Sequence, residues 1–161
     1  MKSLNSKRLI YLCCGLVAGI FITGCGKKDD FSSFKKNVDS FCTEISTIDA
    51  AINNIDAESE LAVSELLQHL DELDQDFKDF SNLSFPEDYN YLEPLADEAS
   101  EYMSEAVSSY HTLYQEEDSY NQNTASYARE NYNRAYKRIQ IIIAFLHGED
   151  PNELGLSVSE Q

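Results

Sequence analysis

The chain has 161 residues, with 29 Asp plus Glu against 12 Lys plus Arg and a formal charge of −17 at pH 7. A body this acidic repels phosphate backbones, which argues against nucleic acid as a partner. Gly and Pro are scarce, at six and three residues. No alternating apolar run sits between turn signals, so an all-β domain is excluded as well.

The first residues carry Lys2, Lys7 and Arg8, followed by the uncharged run LIYLCCGLVAGIFI at 9–22. That run falls short of the roughly 20 apolar residues that cross a bilayer. A basic start, a short apolar centre and small residues after it describe a secretory signal peptide; an uncleaved anchor helix is the alternative. Ile22-Thr23-Gly24-Cys25 resembles the lipobox of bacterial lipoproteins. The resemblance implies that residues 1–24 are removed, that Cys25 carries the lipid, and that 25–30 form a short tether. The protein would then be anchored in the cell membrane on its extracytoplasmic face. Each buried methylene of such a lipid adds about 0.8 kcal/mol of membrane affinity. Cleavage would take three of the 12 basic residues and none of the 29 acidic ones, so the charge would move from −17 to −20. Cys13 and Cys14 would leave with the leader and Cys25 would be acylated. Only Cys42 would remain, and no internal disulfide could form.

Helical spacing dominates the rest. Phe31, Phe34, Val38, Phe41, Ile45, Ile48, Ile52 and Ile55 alternate steps of three and four, the seam of a packed helix. Val63, Leu66, Leu70, Leu73, Phe77 and Phe80 form a second series out of phase with the first. The spacing therefore predicts helices over 31–55 and 57–80, with Asp56 as the N-cap of the second. After SNLSFPED (81–88), Pro86 is placed to open a third helix over 87–117. Its seam is Tyr89, Leu92, Ala96, Ala99, Met103, Ala106, Tyr110 and Leu113. Pro94 predicts a kink or a loosened first turn within it. Ala125, Ala128, Tyr132, Ala135, Ile139, Ile142 and Leu146 mark a fourth helix over 121–147, stopped by Gly148 and Pro151. Residues 148–161 read as a disordered tail. Four helices of similar length with short connections predict one domain over 31–147: all-α, an antiparallel up-down-up-down four-helix bundle. Long hairpins that pack only with a partner are the alternative. The alanines of the third and fourth seams would let those two helices approach closely.

This topology sorts the charges. Lys27, Lys28, Lys35, Lys36, Lys78, Arg134, Lys137 and Arg138 would fall towards the membrane-proximal end, a basic base suited to anionic headgroups. Asp56, Glu58 and Glu60 would meet Glu116, Glu117 and Asp118 at a distal acidic tip. Such a tip suits a basic protein partner or a weakly held divalent cation, although its order of acids matches no calcium loop. A solvated surface that keeps the protein soluble accounts for both ends equally well.

Signatures of catalysis are missing. The residues three before His69, His111 and His147 are Leu66, Ser108 and Ala144, so the Glu-x-x-His of di-metal bundles is absent. Glu65 and His69 lie one helical turn apart, as surface decoration or as a cation pair. Cys42 beside the seam reads as a buried, inert thiol. The tyrosines of the mature chain, all from Tyr89 onward, read as boundary packing with hydroxyls reaching water. No nucleophile set, phosphate loop or zinc spacing occurs.

The lipobox, the FPEDY that opens the third helix and the RAYKRIQIIIAFLHGE that ends the fourth resemble the small helical-bundle lipoproteins of Firmicutes. That resemblance implies fold and address and transfers no site. The expectation is a non-enzymatic interaction module with no cofactor and no small-molecule substrate identified. Its partners would be the membrane, through the lipid on Cys25, and an envelope protein at the tip. The alternative is a weak cation-binding or ion-buffering surface protein.

Overall fold

A computed structural model of the chain describes residues 28–115 and 121–156. Cys25, the leader and the tether to residue 27 lie outside the described residues, as do 116–120 and 157–161. The described residues form four α-helices: α1 (Lys28–Asn53), α2 (Ala62–Ser81), α3 (Glu93–Gln115) and α4 (Gln122–Leu146). A 3₁₀ segment, Glu87–Leu92, precedes α3. No strand occurs among the described residues.

The fold is the all-α helical bundle that the seams predict, and its antiparallel order can be read from contacts. As the residue number rises along one helix, the partner's number falls. Phe31 stacks on Tyr89, Phe34 packs tilted on Phe85, and Phe41 stacks on Phe80 and meets Phe77 edge-on. Asp71 meets His111 and Asp74 meets Ser104 between α2 and α3. Glu98 meets Arg138 and Glu105 meets Tyr127 between α3 and α4.

The core is built from the seam positions. Phe34, Val38, Phe41, Ile45, Leu70, Leu73, Phe77, Phe80, Leu92, Met103, Ile139 and Ile142 are buried together. Ala96, Ala99, Ala128 and Ala135 are completely buried. With so little side chain between them, α3 and α4 share the most extensive close backbone packing among the described residues. α1 stands at the other extreme. It packs on α2 through aromatic rings, and larger side chains rather than close backbone contact bridge it to α4.

Three local expectations need correction. Asp56 does not cap α2. Its carboxylate accepts the Glu58 N–H at 3.1 Å in a separate turn, and Ser59 Oγ accepts the Leu61 N–H at 3.1 Å. α2 starts only at Ala62, after an uncapped Leu61. The segment DAESEL (56–61) has little apolar surface to bury, and the short side chains of Asp56 and Ser59 compete for its backbone N–H groups, so turns win over helix there. The third helix is divided as well: Glu87–Leu92 is 3₁₀ and the α-helix begins at Glu93. Pro94 therefore falls in a first turn, where the missing N–H costs little. No kink is needed.

The third correction concerns the tail. Gly148 does end α4, at φ +73°, with Gly148 N–H to the Phe145 carbonyl and Glu149 N–H to that of Ala144. This is a Schellman close, and its left-handed residue suits glycine. Residues 149–156 then continue as turns rather than disorder. Asp150 accepts the Asn152 N–H at 2.9 Å, the Leu156 N–H returns to the Pro151 carbonyl at 2.8 Å, and Pro151 is buried.

Candidate interaction surface and buried polar contacts

The predicted tip is described only in part. Asp56, Glu58 and Glu60 are exposed on the α1–α2 connection. Glu116, Glu117 and Asp118 lie outside the described residues, so their meeting with the first three is not seen. Four of the large apolar side chains left exposed gather towards this same distal end. Leu61 (61% exposed) and Val63 (42%) stand at the start of α2, Tyr114 (43%) at the end of α3 and Tyr127 (49%) in the second turn of α4. Val63 was expected in the seam. It points away from the core because α2 begins at Ala62 and first packs inward at Leu66.

Two of the three histidines, His69 and His111, make surface pairs, whereas His147 Nε2 is closed off from water without a hydrogen-bond partner. His69 Nδ1 lies 2.9 Å from Glu72, not beside Glu65, and this bond lowers the pKa of Glu72. His111 Nε2 lies 2.7 Å from Asp71 across the α2–α3 seam. Among the described residues no three His, Cys, Asp or Glu side chains converge in a way that could hold a metal. Cys42 is buried beside the seam.

The basic base is also revised. Arg138 is not a surface residue: it is 4% exposed, its Nε donates to Glu98, and its guanidinium lies 5.7 Å from the Tyr102 ring centre. A planar, weakly hydrated guanidinium tolerates such burial between a carboxylate and an aromatic face. Lys78 is paired with Asp74 at 2.6 Å and Arg134 with Glu130 at 2.8 Å. Glu87, Asp88, Glu93, Glu149 and Asp150 are exposed at the same end. The end at which α1 begins and α4 finishes is thus mixed in charge.

The least legible feature of the sequence is a polar contact between α1 and α4. Asp49, 9% exposed, accepts hydrogen bonds from Tyr132 Oη at 2.6 Å and Tyr136 Oη at 2.8 Å on the same carboxylate oxygen. Burial raises the pKa of Asp49 and outweighs the two phenol bonds, which lower it. Burial also raises both phenols well above their ordinary value. These two tyrosines therefore do not direct their hydroxyls to water. A faint signal existed, since Asp49 falls on the flanking stripe Val38, Cys42, Ile45, Asp49, Ile52. A second polar contact joins α3 to α4: Glu105 accepts from Tyr127 and from the buried Asn131 at 3.1 Å.

Chemically these groups bind one another. One oxygen of the buried carboxylate accepts both phenols, and the exposed acids stand towards the same end as exposed apolar side chains. A scan against protein-family models, a search of curated proteins and a search of solved structures each found no match to this chain.

Proposed function

We propose that the chain is a non-enzymatic interaction module, a lipoprotein tethered through Cys25 on the extracytoplasmic face of the cell membrane, that engages an envelope protein through its distal end. The supporting observation is the exposed apolar set Leu61, Val63, Tyr114 and Tyr127 at the end that also presents Asp56, Glu58 and Glu60. Exposed aromatics and leucine can supply buried contact area, and charged neighbours set the encounter rate and the choice of partner. A partner with a basic rim around an apolar patch fits this combination.

Two measurements test the reading. Cys25→Ala is expected to abolish incorporation of labelled fatty acid in cells; labelling that persists would remove the tether. Cross-linking in living cells, followed by mass spectrometry of neighbours, is expected to give one dominant protein. The Asp56→Asn/Glu58→Gln/Glu60→Gln variant should lower its yield severalfold, and adding Leu61→Ser should lower it further. Equal recovery from all variants would move the contact elsewhere.

A further inference from the structure

α1 meets its neighbours along two seams, and each seam contains a buried carboxyl oxygen. On the α2 side it belongs to Asp76, whose Oδ2 is closed off from water and has no hydrogen-bond partner. The register that sets Phe41 against Phe77 and Phe80 brings Glu44, one turn along α1, to the level of Asp76. Glu44 from α1, with Asp79 and Glu72 from its own helix, surrounds Asp76 with negative charge alone. Burial and then these three acids push its carboxyl up to about 6. On the α4 side the oxygen belongs to Asp49, faced by Tyr132 and Tyr136, with Tyr110 of α3 behind Tyr132. Neither carboxyl is neutralised by a cation: acids act on the first and phenols on the second.

We propose that α1 is a pH-responsive element, docked more firmly on α2 and α4 when Asp76 and Asp49 are protonated in mildly acidic surroundings and loosened when they ionise, while the α3–α4 pair stays fixed. An empty proton site at Asp76 leaves a half-buried carboxylate, one oxygen of which is closed off and unpartnered, beside Glu44. Protonation removes that repulsion. It also leaves the Asp49 carboxyl neutral in a seam where ionisation is penalised by burial.

The sign follows from linkage. Both groups hold a proton more strongly in the folded chain than in the unfolded one. Their contribution is therefore complete below the ordinary carboxyl value, lost as pH rises through the folded value, and constant above it. For Asp76 the window runs from the ordinary carboxylate value of 3.8 to about 6.

The test is hydrogen exchange of the full chain at pH 5.5 and pH 7.5, corrected for the intrinsic exchange rate. Between these values the opening constant of α1 amides should rise about threefold, with α3 and α4 unchanged. Asp76→Asn should remove most of the rise, and Asp49→Asn with it the remainder. A threefold rise that persists in Asp76→Asn overturns the proposal, as does an equal rise in all four helices, which would point to net charge. Asp76 is partly exposed and its variant is expected to fold, so that variant decides the matter even where Asp49→Asn does not fold.

Discussion

Asp49→Ala lowers the stability of the bundle by about 2–4 kcal/mol, because it removes the shared acceptor of two phenols, at about 1–3 kcal/mol for a hydroxyl left unsatisfied, and leaves only the long Tyr132-to-Tyr136 hydroxyl bond at 3.3 Å between them. The melting temperature at pH 7 falls by roughly 10 °C. Asp49→Asn serves as the control. It keeps a carbonyl oxygen at 2.6–2.8 Å from Tyr132 and Tyr136 and removes the charge that burial disfavours. Its loss is far smaller, and at neutral pH it can be a gain. Equal losses from the two variants would mean that the charge, not the acceptor, holds the seam. Circular dichroism melts of the two variants beside the parent check both outcomes.

Phe77→Ala has the larger expected effect. Phe77 is completely buried, edge-on to Phe41 at 5.4 Å and to Tyr136 at 5.5 Å between ring centres. It is the point where α1, α2 and α4 share one side chain. Truncation loses the transfer energy and leaves a cavity, together about 3–5 kcal/mol. Against a total of about 5–15 kcal/mol for an ordinary domain, that is a large fraction. Urea unfolding should show a lower midpoint with an unchanged slope. Phe77→Leu refills most of the volume and should cost less than half as much. A midpoint unmoved by Phe77→Ala would place the core elsewhere.

Most of the bundle was legible in the sequence because seam burial is a property of spacing. Val38, Ile45, Leu73, Met103 and Ile139 are nearly or completely buried where the three-four rhythm puts them. Gly148 was legible because a left-handed helix end favours one residue type. What escaped notice depended on tertiary context. Asp56 looks like a cap, yet nothing in its own sequence says that AESEL has no core to pack against. Arg138 looks like surface charge until Glu98 and Tyr102 on the neighbouring helix are placed beside it. Asp49 lies on a buried stripe, but its acceptability rests on two tyrosines 83 and 87 residues away. Of the six tip residues, Asp56, Glu58 and Glu60 are placed and exposed, and the apolar side chains that accompany them became evident only from the late start of α2.

The unequal spacing of the helices has a kinetic consequence. α3 and α4 are joined by a short connection and faced with alanine, so their pairing closes a small loop at little entropic cost. The bond from Tyr136 to Asp49 spans 87 residues and forms only once α1 has been brought around the whole bundle. The expected order of assembly is then a C-terminal hairpin that recruits α2, with α1 docking last. Changes at Asp49 should accelerate unfolding and leave the refolding rate nearly untouched, whereas crowding the Ala99–Ala135 neighbourhood should slow refolding itself.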